Sequence, residues 1–212
     1  DLLQLPRVLG HEISGVVAEV GARWSGAYRV GERVAVCAVV NCGECEYCQR
    51  GMASMCSHLR AFGYHFDGGY QEYMVVPYEA IRCGGVNRVP SSVTHEEASV
   101  AELLACCING QRLSGFQLGQ SVLIMGAGPV GILHSLLAYE QGLSPVYLTD
   151  VVPERLATAG QVCGRAATGL LLDRGLSELV ARVHEVTGGR GFDQVVVACS
   201  SPDAQQASLQ CV

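Results

Sequence analysis

Residues 121–142 read SVLIMGAGPVGILHSLLAYEQG. The apolar run SVLIMGA has the length of a buried strand, and PVGILHSLLAYEQG reads as a helix stopped by glycine. Between them Gly126, Gly128 and Gly131 stand in G-x-G-x-x-G spacing, with Pro129 and Val130 in the same turn. The spacing alone is weak in a chain with 26 glycines. It gains weight because it closes a strand and opens a helix. Gly126 permits a sharp turn, Gly128 lets backbone approach a pyrophosphate, and Gly131 lets the helix pack close to the strand. The free N–H groups of the helix start then face the phosphates. A second strand, PVYLTD, ends in Asp150, about 20 residues further on, where an acid accepts hydrogen bonds from an adenosine ribose. That favours NAD, since the same acid repels the 2′-phosphate of NADP. Arg155 either flanks that ribose or is a solvated helix residue. The bland alternative is an α/β turn that binds nothing; strand, glycines, helix and terminal acid together weigh against it.

The pattern continues outward. VPERLATAGQVCG has Pro near its start and Gly past its end, as a helix should. TGLLL reads as a short strand, LSELVARVHEVTGG as a helix, DQVVVACS as a strand, and SPDAQQASLQCV as the start of another helix. Strands alternating with helices predict a parallel sheet covered on both faces, in the doubly wound arrangement. Residues 1–100 have a different texture. ISGVVAEVG, RVAVCAVV and YQEYMVVP are short apolar runs broken by glycine, which predicts strands with tight turns in a small barrel-like β domain. The first helical period is EEASVAELLACCINGQRL, residues 96–113. The chain therefore reads as two domains, 1–113 and 114–212.

Composition excludes several classes of function. The formal charge is −6, and the 14 Lys and Arg residues form no dense run, which speaks against nucleic acid or an anionic membrane as partner. No apolar stretch is long enough to span a bilayer. DLLQLPRVLG lacks the basic start and apolar core of a signal peptide. The 11 cysteines are an odd count in a chain without an export signal, which fits a reducing, cytoplasmic setting better than a disulfide framework. Cys37, Cys83, Cys106, Cys107, Cys163, Cys199 and Cys211 are scattered, and read as buried or incidental thiols.

The other four are not scattered. NCGECEYCQRGMASMC, residues 41–56, places Cys42, Cys45, Cys48 and Cys56 in C-x2-C-x2-C-x7-C spacing. Short spacings let one loop wrap one ion, and four thiolates suit zinc in a closed structural site with no position left for water or substrate. An iron–sulfur cluster fits less well, because the bacterial run has a tighter last spacing and a following Pro. Two disulfides conflict with the inferred compartment. GHEISG, residues 10–15, places His11 and Glu12 at the opening of a strand; alone, they read as an ordinary His and a solvated acid.

LPRVLGHEISGVVAEVG, the four-cysteine stretch, FDGGYQEYMVVP and the strand–GAGPVG–helix unit together resemble the zinc-containing medium-chain alcohol and polyol dehydrogenases, in their sorbitol and threonine dehydrogenase-like branch. The resemblance covers almost all 212 residues. It implies a GroES-like β-barrel catalytic domain followed by a Rossmann domain. It implies a structural zinc on the four cysteines and a catalytic zinc on His11, with Glu12 as a neighbouring carboxylate. In the polyol branch a Glu completes the metal site; AELLACCING, residues 101–110, puts Glu102 there, with Leu103 where the family has Pro. Cys106 and Cys107 are the runner-up ligands, and Asn109 a packing or substrate contact. The family's further catalytic Cys falls about twenty residues before the His, so the sequence reads as an internal fragment of a longer enzyme, inactive by itself. The reaction implied is NAD-dependent oxidation of a small alcohol or polyol, by a protein that is a homo-oligomer at full length.

Overall fold

The computed structural model describes residues 5–172 and 175–212, so the first four residues of the DLLQLPRVLG stretch lie outside it. The chain forms two compact units, Asp1–Glu102 and Leu103–Val212.

In the first unit β1 (Ile13–Val16), β2 (Arg33–Val36) and β5 (Val86–Arg88) make an antiparallel sheet in the order β1-β2-β5. Its register pairs Ile13 with Val36 and Val34 with Arg88. A second, two-stranded sheet joins β3 (Val39–Val40) to β4 (Arg60–Ala61). RVAVCAVV, expected as one strand, is therefore two, parted at Cys37 and Ala38. Val36, Val40, Phe62 and Ala80 form the unit's small core. Two short helices, α1 (Glu46–Gln49) and α2 (Tyr78–Arg82), lie between strands.

YQEYMVVP, expected as a strand, is not one. Met74 and Val76 pack on the core while Tyr73 and Val75 are exposed, so the side chains alternate as a strand's would. Alternation reports packing, whereas a strand also needs a partner for its backbone, and among the described residues none is paired with this segment. The helix expected over 96–113 is two: α3 (His95–Ser99) and α4 (Ala101–Leu113), separated at Val100. Thr94 caps α3 in a reciprocal box with Glu97, which fixes where it starts.

The second unit follows the expected pattern. Parallel strands β6 (Val122–Met125), β7 (Val146–Asp150), β8 (Gly169–Leu172) and β9 (Gln194–Val197) lie in the order β8-β7-β6-β9. The chain winds one way from β6 to β8 and then returns to β6's other side, so a switch point lies between β6 and β9, where such sheets bind ligands. All four β6 residues are buried because the sheet is covered twice. Val122 and Ile124 face α5 (Pro129–Glu140) and α6 (Pro153–Cys163); Leu123 and Met125 face α7 (Leu176–Thr187) and α8 (Pro202–Ser208). The buried positions of α5, Gly131, His134, Ser135 and Ala138, recur at helical spacing. Gly188, in the left-handed region, ends α7.

Candidate functional site

Cys42, Cys45, Cys48 and Cys56 converge. Neighbouring sulfurs lie 3.9 Å (42–48), 3.5 Å (45–48), 3.8 Å (45–56) and 3.6 Å (42–56) apart. A zinc ion with Zn–S bonds of about 2.3 Å at tetrahedral angles requires S···S edges of about 3.8 Å; a disulfide would bring two sulfurs to about 2.0 Å. The four thiols are arranged for the metal. The loop also supplies N–H donors to sulfur: Cys45 N donates to Cys42 Sγ, and Cys42 N and His58 N to Cys56 Sγ, each at 3.3 Å. Backbone N–H groups of Glu44 and Cys45 hold the Cys42 thiol below its ordinary value. Those of Cys48 and Ser57 bring Cys45 down to about 5. Burial, then the contact with Cys45, pushes Cys48 up to about 12. Part of the lobe is thus primed as thiolate, and a metal held by these four cysteines would displace the remaining thiol protons.

The remaining cysteines divide as small apolar residues do. Cys107, Cys163 and Cys211 are buried, Cys83 is half-buried, and Cys37, Cys106 and Cys199 are exposed.

In the second unit the three glycines differ in their surroundings. A Cβ on Gly131 would stand 1.8 Å from the Gly126 carbonyl oxygen, so helix and turn touch there. Gly126 has φ +115°, which favours glycine. At Gly128, the extended residue that begins α5, a Cβ would meet nothing within 4 Å. That open space, beside helix N–H groups without intrahelical acceptors, is what a phosphate needs. Pro129 and Val130 form the first turn of α5. Asp150 ends β7 and is buried; one carboxylate oxygen accepts from Ala127 N and the other from Val152 N, both at 2.8 Å. The acid therefore holds the glycine turn in shape, and each oxygen keeps a lone pair for a ribose hydroxyl. Arg155 is exposed on α6 and makes no ion pair among the described residues.

His11 is half-buried, with its ring 6.1 Å from that of Tyr64, and Glu12 is exposed. Glu102 lies in the first turn of α4. Among the described residues the four cysteines are the one group of three or more His, Cys, Asp or Glu side chains gathered closely enough to share a metal. His11, Glu12 and Glu102 are not brought together in that way. Asn109 accepts from Arg112 at 3.4 Å.

The loop carrying His11 is fixed by contacts that no local pattern announces. Asp67 accepts from Val8 N at 3.2 Å and pairs with Arg7 at 3.0 Å. Gly68, Gly69 and Tyr70 donate to the carbonyls of Val8, Gly10 and Leu9. A Cβ on Gly68 would lie 2.0 Å from the Gly10 oxygen. D-G-G is thus the seat of L-G-H-E; its signal in sequence is two adjacent glycines after an acid, which read equally well as a turn.

The family description "Alcohol dehydrogenase GroES-like domain" matches residues 1–88. The chain is 33% identical over 208 residues to D-arabitol-phosphate dehydrogenase of Enterococcus avium, covering 96% of this chain and 56% of that protein. It is 33% identical over 207 residues to L-threonine 3-dehydrogenase of Pyrococcus abyssi, covering 98% and 56%. A solved structure of a zinc-binding dehydrogenase from Sinorhizobium meliloti 1021 bound to NADP superimposes with TM-score 0.86 at 29% identity, over 99% of this chain and 59% of that one. The chain thus spans little more than half the length of the proteins it matches. No helix among the described residues is long and apolar enough to cross a membrane.

Proposed function

Because this chain belongs to the zinc-type medium-chain alcohol dehydrogenase family, we propose that it supplies the zinc lobe and nucleotide-binding half of an NAD-dependent oxidoreductase. The substrate class is a secondary alcohol: a polyol, sugar, cyclitol or amino alcohol. The observation that carries this reading is Asp150, clamped between the glycine turn and the end of β7 beside the open space at Gly128. The carboxylate would receive the adenosine ribose, and the start of α5 the pyrophosphate. A bound nicotinamide supplies the hydride acceptor. The chain's own part is to orient that ring and keep water from it. His11 and Glu102 would ligate a catalytic zinc, which acidifies an alcohol hydroxyl, with Glu12 as a nearby carboxylate. The four cysteines would brace their loop and take no part in the chemistry. Eleven cysteines in one chain would fit a reducing compartment, the cytoplasm, and the full-length protein would be a homo-oligomer.

The test is calorimetric titration of the zinc-loaded chain with NADH and NADPH. Preferential binding of NADH, weakened in Asp150→Ala, supports the reading; equal binding of both, indifferent to Asp150, overturns it.

A second reading follows from the count of donors: these 212 residues by themselves form a non-catalytic zinc- and nucleotide-binding module. Two protein donors fall short of the three usual in catalytic zinc sites. Turnover of any alcohol in a broad panel by the purified chain would exclude it.

A further inference from the structure

The four-cysteine lobe is gripped by residues forty positions away. α2 ends in Arg82, whose guanidinium donates to the carbonyl oxygen of Cys42 at 2.5 Å. The next residue, Cys83, donates its thiol proton to the carbonyl of Asn41 at 3.1 Å. The Arg82 nitrogens also lie 3.4 and 3.6 Å from where a Cβ on Gly43 would stand. Two successive residues at the end of a helix thus hold three successive residues of the loop, among them the first metal ligand.

The electrostatics favour the same partner. Zinc with four thiolates carries a net charge of −2, and that charge is stabilised by donors and cations around it. Arg82 lines a cavity of about 520 Å³ beside the lobe, together with Asn41, Glu44, His58, Arg60 and Glu79. Arg60 is committed elsewhere: it pairs with Glu79 at 3.4 Å and lies over the Phe66 ring at 4.6 Å. Arg50, within the lobe, is exposed and pairs with Glu46 one turn away.

We propose that Arg82 is a positioning residue for the zinc lobe: it fixes the Cys42 carbonyl, and with it the first ligand, and places a positive charge beside the doubly negative zinc–thiolate centre. This rests on reading the four cysteines as a zinc site. Its motif is not local, because α1 and β4 both lie in the chain between the ligand and the arginine.

The experiment measures zinc transfer from the 212-residue chain to a chromogenic chelator, for the native sequence and for Arg82→Gln, Arg82→Lys and Arg50→Gln. Cobalt-loaded samples of each report the ligand set through their thiolate charge-transfer bands. Arg82→Gln is expected to lose zinc about 10- to 100-fold faster, the range seen when outer partners of metal ligands are removed. Arg82→Lys, which keeps the charge and loses the fork, falls between it and the native chain. Arg50→Gln matches the native chain, and all four keep their thiolate–cobalt bands. Release from Arg82→Gln at the native rate overturns the proposal. Arg82→Lys no slower than Arg82→Gln overturns the electrostatic part of it. Should Arg82→Gln not fold, Arg82→Lys against Arg50→Gln decides the matter: equal rates sink the clamp. Failure of the zinc reading shows separately, as absent thiolate–cobalt bands in the native chain before any substitution is made.

Discussion

Single side chains set two properties of the nucleotide-binding unit. On the proposed reading Asp150 carries the choice of cofactor, since its buried carboxylate would meet the ribose edge where NAD and NADP differ. Asp150→Asn removes the repulsion of a 2′-phosphate while keeping an acceptor oxygen. The ratio of NADPH to NADH affinity is expected to rise about tenfold, a change of about 1.4 kcal/mol, measurable by titrating nicotinamide fluorescence. His134 governs a pH response. It is buried in α5, its Nδ1 is 3.0 Å from Gln111 Nε2, and Gln141 donates to Gln111 Oε1 at 2.8 Å. Because an amide nitrogen only donates, Nδ1 accepts and the ring is neutral. Burial holds its pKa below the ordinary histidine value. The unfolded chain therefore takes up the proton first as pH falls, at about 6.5. Stability from this residue is full above that pH and is lost as pH drops toward the depressed folded value. Urea midpoints should fall between pH 7.5 and 5.5, and His134→Gln should flatten that slope. The glycine turn was legible in the sequence because its chemistry is local. The Gln111–His134–Gln141 chain was not, because its members meet only after α4 and α5 have packed.

At the level of elements, close approach decides which glycines matter. Gly68 seats the loop that carries His11, with no room for a Cβ beside the Gly10 carbonyl. Gly68→Ala should destabilise the first unit by about 1–3 kcal/mol, the usual cost of overpacking, read as a lower midpoint for that unit in hydrogen exchange. Gly128 and Gly131 should separate stability from binding. Gly131→Ala drives a methyl into the Gly126 carbonyl and lowers the melting temperature. Gly128→Ala fills only open space, so it leaves melting nearly unchanged and weakens NADH binding. If both variants melt alike, the distinction between packing glycine and phosphate glycine fails here. The same scale explains the misread elements. YQEYMVVP has a strand's alternation and no strand's partner. The apolar period of residues 96–113 runs on through Val100, where the capped α3 ends and α4 begins. Periodicity records which side of a segment is apolar; whether its backbone is paired or interrupted depends on other segments.

Over the whole chain, two units of different construction predict two responses to chelation. The second unit has cores on both faces of its sheet and no metal-binding group among its described residues. In the first, a core of four buried residues lies beside a loop whose shape depends on four converging thiols. Removing zinc should loosen the loop enough for trypsin to cut after Arg50 while leaving Arg182 in α7 uncut, since structural zinc sites contribute folding energy directly. Equal protection of Arg50 with and without metal would show that the loop holds itself. The sequence by itself determined the doubly wound order of the second unit, the glycine turn with its terminal acid, and the four-cysteine zinc stretch. Each of these is written in short-range spacing: a few residues apart for glycines and cysteines, and a period of two or 3.6 for the elements. Only the tertiary structure decided that D-G-G seats the GHE loop and that Arg82 grips the zinc lobe. Those are meetings between residues tens of positions apart, and their distances are set by packing rather than by spacing along the chain.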